Sequence, residues 1–295
     1  MSKKTVIIGG VAGGATTAAR LRRLDESMEI VMFERGEYIS YANCGLPYYI
    51  GDVIQSRDAL LLQTPEAMHK KFNLDIRISS EVTRIDPKTK SVTVKNLKTQ
   101  EVYEENYDQL VIATGSSPLK PPIEGIDQEG IYTLWTVPDT DRIKAHILEK
   151  KPKTAAVIGG GFIGLEMAEN LHAAGIKVSI IEMQNQVMAP VDFEMAQLLH
   201  ENITMNQVDL ILGDGVKAFK KADEGIRIEL SSGKSVSADM VLLSIGVRPN
   251  STLAKEAGLR LNERGGVWVD SHLKTSEPDI FAVGDVIEVE NFVTK

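Results

Sequence analysis

Cys44 is the only cysteine in this 295-residue chain, and it lies in the run Ser40-Tyr41-Ala42-Asn43-Cys44-Gly45-Leu46-Pro47-Tyr48-Tyr49. A lone cysteine is commonly a small buried hydrophobe. Its setting offers a second reading. Asn43-Cys44-Gly45 is turn-like, and the Pro and Tyr pair that follow suit neither a strand nor a helix interior. A sulfur at a loop-to-helix junction, with backbone N–H groups aimed at it, is held as thiolate, the reactive form. The chemistry on offer is nucleophilic or redox chemistry at sulfur. One cysteine forms no internal disulfide, so any disulfide made here is mixed with another molecule's thiol. None of the five histidines (His69, His146, His172, His200, His272) stands in a ligand or triad spacing, and no Cys pair exists, so no metal is expected. His172 reads as a helix-packing residue.

The elements that must position this thiol come as a near-repeat. Thr5–Ile8, the glycine run Gly9–Gly14, helical residues from Thr16 to Leu24 and Ile30–Glu34 make the first copy. Ala155–Ile158, Gly159–Gly164, helical residues from Leu165 to Ala174 and Val178–Glu182 make the second. Each reads as buried strand, glycine turn, helix, buried strand and acid, which is a βαβ dinucleotide unit. In the second helix Leu165, Ala168, Leu171 and His172 mark the apolar face. Leu110–Ala113 and Met240–Gly246 read as a matching pair of closing strands, and residues 116–122, rich in proline, as a linker. The expected fold is α/β, with two Rossmann-like dinucleotide-binding domains. The second is inserted in the first, giving residues 1–117 and 246–295 for one and 118–245 for the other.

In such a unit the first glycine makes the tight turn, the second lets a pyrophosphate approach, and the third lets helix pack on strand. The helix N-terminus then holds the phosphate charge. Gly159, Gly161 and Gly164 fit the pattern fully. The first loop departs from it, with Gly9, Val11 and Gly14 at the three places and extra glycines at Gly10 and Gly13. Glu34 and Glu182 would each bind a ribose hydroxyl pair, or simply end a strand in solvent. A carboxylate repels a 2′-phosphate, and Gln184 and Asn185 follow Glu182 rather than Arg or Lys, so NADH is favoured, with NADPH kept open. A strand ending in Gly284-Asp285 would set Asp285 against a polyol chain such as a flavin's ribityl.

These residues together (Gly9–Gly14, Ala113-Thr114-Gly115, Gly159–Gly164 and Gly284-Asp285) resemble the pyridine nucleotide-disulfide oxidoreductase family of two-dinucleotide flavoproteins. The run around Cys44 resembles its single-cysteine branch, coenzyme A disulfide reductases and their rhodanese-fused forms. The resemblance implies FAD on the first unit, at Gly9, Val11, Ala12, Gly13, Gly14, Phe33, Glu34, Arg35, Asn43, Ala113, Thr114, Gly115, Gly284 and Asp285. It implies NADH or NADPH on the second, at Gly159, Gly161, Phe162, Ile163, Gly164, Glu166, Glu182 and Gly246. Cys44 is then the catalytic residue, and Arg20, Arg23, Ser40, Asn43 and Lys71 hold coenzyme A. Arg20, Arg22 and Arg23 read equally as a solvated helix face balanced by Asp25 and Glu26.

The family's chemistry passes two electrons from nicotinamide through flavin to a disulfide, here Cys44 joined to coenzyme A. A peroxidase or oxidase cycle through a Cys44 sulfenic acid fits the same residues, and so does a nucleotide-binding module without turnover. Relatives continue into a dimer-forming domain, expected to be absent from this chain, which leaves the homodimer of relatives an open expectation here.

Composition narrows the partners. The chain is 43% hydrophobic and 25% charged, with a net charge of −8 and no Lys/Arg run longer than two. That argues against nucleic acid or an anionic membrane and for a small-molecule thiol or disulfide partner. The Val6–Ile8 apolar run is too short for a signal segment. A single cysteine suits a reducing compartment, and the expected location is cytoplasmic.

Overall fold

A computed structural model describes residues 3–291 and 293. From the N-terminus, β1 (Lys4–Ile8), α1 (Ala12–Leu24) and β2 (Glu29–Phe33) form the first βαβ unit. A 3₁₀ turn at Asn43–Gly45 runs into the short α2 (Leu46–Ile50), and α3 (Pro65–Phe72) leads to β3 (Asp75–Arg77). Then come β4 (Ser80–Asp86), β5 (Ser91–Asn96), β6 (Val102–Asn106), β7 (Gln109–Ile112) and β8 (Ser116–Pro118). The second half opens with β9 (Ile131–Thr133), α4 (Val137–Lys150), β10 (Thr154–Ile158), α5 (Phe162–Ala173) and β11 (Lys177–Glu182). It continues through α6 (Phe193–Met205), β12 (Asp209–Leu212), β13 (Val216–Lys221), β14 (Ile226–Leu230), β15 (Ser235–Ala238) and β16 (Met240–Leu243). The chain closes with β17 (Val247–Pro249), α7 (Thr252–Glu256) and β18 (Ile280–Ala282).

Two compact units result. The first holds residues 1–41, 61–117 and 248–295, and the second holds 42–60 and 118–247. Each contains a five-stranded parallel sheet, in the orders β18-β7-β1-β2-β3 and β12-β11-β10-β16-β9. The near-repeat is real in register. Lys4 pairs with Glu29 and Thr5 with Gln109 in one sheet, as Thr154 pairs with Lys177 and Ala155 with Met240 in the other. Each unit adds a three-stranded antiparallel meander, β4-β5-β6 or β13-β14-β15.

Alternation along the strands divides the first core. Val6, Ile8, Val31 and Phe33 pack with the meander's Val82, Val92 and Val94, while Ile7, Ile30 and Met32 face Ala15 and Ala18 of α1. Small residues on α1 let the helix lie close to the sheet, and each large side chain buried there contributes about 1.5–3 kcal/mol. In the second unit Ala156, Ile158, Ile181, Val241 and Leu243 pack with Phe219, Ile228 and Leu230 of the meander. Among the described residues no helix is long and apolar enough to cross a membrane.

The segment 42–60 corrects the expected division, which placed it with residues 1–117. Its contacts are with α4 and α5. Lys144 donates to the carbonyl oxygens of Tyr49 and Ile50, Arg57 makes a two-pronged pair with Asp141, and Gly51 lies against the Asn170 side chain. Charge pairing and close packing across chain-distant elements are invisible to a strand-by-strand reading.

Candidate functional site

The two glycine turns are built alike. Gly9 and Gly159 sit at φ 107° and 105°, a left-handed region that side chains rarely adopt. Their N–H groups donate to Phe33 O and Ile181 O, both at 2.8 Å. At Gly14 a Cβ would collide with Gly9 O, and at Gly164 with Gly159 O. The helices begin within the turns, at Ala12 and Phe162, earlier than the expected Thr16 and Leu165. Their N-caps, Val11 and Gly161, make no side-chain cap bond, and neither first turn holds an acid. First-turn N–H groups without a capping side chain suit a pyrophosphate.

At the place where the turns differ, a Cβ on Gly161 would meet no protein atom within 4 Å. Packing does not demand glycine there; it keeps the backbone bare to an approaching group. Val11 stands at φ −91°, outside the left-handed region that favours glycine. Phe162, next to Gly161, is 63% exposed and Ile163 half-buried. Ala12 is exposed, and a Cβ on Gly13 would press Val283 Cγ2 at 3.1 Å.

The two acids also match. Glu34 accepts from Gly10 N at 2.8 Å and from Gly36 N at 2.7 Å, one bond to each carboxylate oxygen. Glu182 accepts from Gly160 N at 2.6 Å and Gln184 N at 2.8 Å. Each carboxylate thereby fixes the turn and the strand end, and each oxygen keeps a lone pair for a hydroxyl.

Around the first turn, the backbone segment Ala113–Gly115 closes against Gly9. Asn250 binds that segment on three sides: Asn250 Nδ2 donates to Thr114 O at 2.9 Å, Asn250 N to Gly115 O at 2.9 Å, and Thr114 Oγ1 to Asn250 O at 2.8 Å. Ser116 Oγ donates to Asp285 Oδ2 at 3.1 Å. Asp285, Gly284 and Arg35 are exposed, whereas the Phe33 side chain lies in the core beneath the Arg77 guanidinium, 5.4 Å from its ring centroid. Only Phe33's backbone reaches the turn. Ser40 adopts φ 44°, rare for a side-chain-bearing residue, and its N–H donates to Gly10 O at 3.0 Å. This puts Ser40 beside the turn.

The arginines of α1 part company. Arg22 is 8% exposed and binds the carbonyl oxygens of Phe72, Glu26 and Asn73 at 2.8, 2.7 and 3.0 Å. It is a strut between the ends of α1 and α3. Arg20 and Arg23 are exposed, and the Arg23 guanidinium and Lys71 ammonium lie 6.0 and 5.2 Å from the centroid of the Phe72 ring. An aromatic face with two cations beside it suits a phosphate-bearing ligand.

In the second unit, Asn43 and Cys44 are exposed on the 3₁₀ turn that opens α2, above buried Gly45, Leu46 and Pro47. An exposed sulfur overturns the reading as a buried hydrophobe. Burial pushes the Glu166 carboxyl above its ordinary range, and neighbouring Glu169 adds to the effect. Such a group holds a proton more readily than a free glutamate. Gly246 sits at φ 111° and accepts from Leu119 N at 2.9 Å. His172 is exposed; the buried polar residue of α5 is Asn170, 2% exposed, whose Nδ2 donates to Glu166 O at 2.8 Å. Helix spacing alone had favoured the wrong one of two adjacent faces.

The structure thus brings Gly9–Gly14, Glu34, Ser40, Ala113–Gly115 and Asp285 into the first unit, and Gly159–Gly164, Glu166, Glu182 and Gly246 into the second with Asn43 and Cys44. Sequence reasoning missed Asn250, Ser116 and Ser244. Ser244 Oγ donates to the turn carbonyls of Ile158 and Gly159 at 3.2 and 3.1 Å. Its place directly after a buried strand, equivalent to Ala113, was the available signal. Among the described residues no group of three His, Cys, Asp or Glu could hold a metal.

The description "Pyridine nucleotide-disulphide oxidoreductase" matches residues 3–294. The chain belongs to that family. Reduced CoADR-RHD from Bacillus anthracis is 55% identical, with TM-score 0.97 over all of this chain and 53% of that one. An NAD-dependent persulfide reductase from A. fulgidus is 38% identical, with TM-score 0.94 over 99% of this chain and 54% of that one. A curated NADH oxidase from Methanocaldococcus jannaschii is 36% identical over 99% of this chain. The chain spans 64% of that relative's length.

Proposed function

We propose that this chain is the nucleotide- and thiol-bearing part of an FAD-dependent NAD(P)H oxidoreductase that reduces coenzyme A disulfide, or a coenzyme A persulfide or polysulfide, through a Cys44–S–S–CoA mixed disulfide. The observation that carries the reading is an exposed, solitary thiol at the start of a helical segment, in a chain with two dinucleotide turns. The residues present fit both cofactors. Gly9–Gly14, Glu34, Ala113–Gly115 and Asp285 would hold FAD, and Gly159–Gly164 and Glu182 the nicotinamide nucleotide. Bound FAD supplies two-electron transfer between nicotinamide and sulfur.

The chain's own part is at sulfur. The Cys44 thiolate attacks one sulfur of coenzyme A disulfide, forming Cys44–S–S–CoA and releasing one coenzyme A thiolate. Two electrons from NAD(P)H then cleave the mixed disulfide, freeing the second coenzyme A and regenerating the Cys44 thiolate. The sum is NAD(P)H, a proton and CoA–S–S–CoA giving NAD(P)+ and two CoA–SH. Arg20, Arg23 and Lys71, with Ser40 and Asn43, would hold the substrate's phosphates and pantetheine arm. Glu182 repels a 2′-phosphate, which makes NADH the preferred donor.

Mass spectrometry of the unreduced protein tests this. A coenzyme A adduct on Cys44 is expected; an unmodified thiol trapped only by sulfenic-acid reagents would overturn it. That second outcome is the oxidase reading, which the Methanocaldococcus relative favours, with Cys44 cycling through a sulfenic acid. Purified protein that lacks yellow colour, or does not bleach anaerobically with NADH, would leave a binding module without turnover. The homodimer and the cytoplasmic location belong to the same proposal. Sedimentation of the chain tests the first.

A further inference from the structure

The helix that follows Cys44 is too short to hold itself. α2 has five residues and no side-chain N-cap bond, so it forms little more than one helical hydrogen bond of its own. Its placement comes from the other end. Lys144, on α4, donates from Nζ to Tyr49 O at 2.8 Å, Ile50 O at 3.1 Å and Asp52 Oδ1 at 2.6 Å. Both carbonyls belong to the last turn; Tyr49 O also accepts from Asp52 N at 3.3 Å. The same ammonium lies 5.0 Å from the Tyr49 ring centroid, and its side chain is 11% exposed.

An ammonium has three protons, and here three acceptors take them. A cation withdrawn this far from water persists only where it is fully paired. α4 is a fixed platform. A capping box between Thr136 and Asp139 closes its N-terminus, and Lys151 in the left-handed conformation closes its C-terminus. The residue after α2, Gly51, is seated on the side chain of buried Asn170, where a Cβ would collide with the amide oxygen. Further along, Arg57 Nε and Nη2 bind the two oxygens of Asp141, each at 2.7 Å. No nucleotide-binding feature of the second unit uses Lys144.

We propose that Lys144 is a positioning residue for Cys44. It anchors the C-terminal end of α2 to α4, and because 43–50 is one continuous helical segment, the anchor fixes the orientation of the thiol at the opposite end. The inference rests on reading Cys44 as the reactive thiol, but its test needs no coenzyme A.

This 295-residue chain, loaded with FAD, is alkylated with iodoacetamide at neutral pH. Cys44 is the only cysteine, so the reagent reads this thiol alone. Lys144→Met should change the alkylation rate at neutral pH at least fivefold. It should also speed hydrogen exchange at the Tyr49–Gly51 amides at least tenfold. Lys144→Arg, which keeps the charge and several donors, should return the rate to within twofold of the parent. A folded Lys144→Met protein with a parental alkylation rate would overturn the proposal. Should Lys144→Met fail to fold, Asp52→Asn removes the negative charge from one of the three acceptors, on an exposed residue, and should shift the rate about twofold in the same direction; a parental rate there is equally fatal. Loss of coenzyme A disulfide turnover in the parent protein would sink the functional reading and leave this one standing.

Discussion

The turn at Gly9–Gly14 and the turn at Gly159–Gly164 reach the same backbone from different side chains. Val11 stands opposite Gly161, Gly13 opposite Ile163, and Ala113 opposite Ser244. Each difference has a local cause. Gly13 is glycine because Val283, following β18, presses on that place. The matching place in the second unit holds Ile163, which is half-buried. Ser244 donates back to its own turn, whereas Ala113 offers only its backbone and Asn250 secures the segment after it. Three glycine positions agree: at Gly9 with Gly159 and at Gly14 with Gly164, φ or a carbonyl oxygen excludes a side chain, and at Gly10 with Gly160 the side chains of Ile39 and Val187 crowd the place. The backbone is thus specified by few residues, and the rest are free to follow each unit's neighbours.

That contrast can be broken most forcefully at the shared positions. Gly14→Ala and Gly164→Ala should each lose about 4 kcal/mol or more, because a Cβ meets backbone and not a movable side chain. Gly14→Ala is expected to lose bound flavin, and Gly164→Ala to keep flavin absorbance while losing NADH binding. Loss of both nucleotides in both variants would end the idea of separable turns.

A second difference lies away from the turns. Lys4 N donates to Asp108 in the first unit as Thr154 N does to Asp239 in the second. The first unit adds Glu105, held by Lys4 Nζ and Arg77 Nη1, both at 2.6 Å. Burial alone would raise the Glu105 carboxyl, but the hydrogen bonds from Lys4 and Arg77 outweigh it and hold it below the ordinary glutamate value. A depressed carboxyl stabilises the fold above its unfolded-state pKa, and that stability is lost as pH falls through the depressed value. Glu105→Gln should therefore cost roughly 1.5–3 kcal/mol at neutral pH. Its gap to the parent in thermal unfolding should close in acid; a gap that widens in acid would reverse the assignment.

Smaller effects sharpen the comparison at the non-shared positions. Gly161→Val should change stability by less than about 1 kcal/mol, since no protein atom lies near. It should weaken NADH binding about tenfold, near 1.4 kcal/mol, read by fluorescence titration. Equal loss of stability and affinity would mean that packing, not ligand approach, selects glycine there. Smallest of all, Ser244→Ala should destabilise by about 1 kcal/mol, placing the second turn on the footing that Ala113 gives the first. A melting curve checks it.

The turns were legible in the sequence because their constraints are local. Strand, glycine, helix and acid follow one another within about thirty residues, the span of one βαβ unit. The helix starts were read late, since Ala12 and Phe162 carry no capping residue to mark them. Asn250 was illegible for a different reason: it is 136 residues from Thr114 in sequence, and nothing in its neighbours announces the contact. His172 was misplaced by one helical face because spacing gives a stripe and not its edge.

What the sequence determined by itself is the pair of dinucleotide units, their parallel strands, the acids at Glu34 and Glu182 and the solitude of Cys44. Alternation, glycine at positive φ and residue type encode these within short windows. Tertiary structure decided which unit holds the thiol. Lys144, Arg57–Asp141 and the Gly51–Asn170 contact tie residues 42–60 to α4 and α5, through partners far along the chain. It also decided that Arg22 is a strut while Arg20 and Arg23 stay exposed, because only the packed chain brings the carbonyls of Phe72 and Asn73 to one guanidinium.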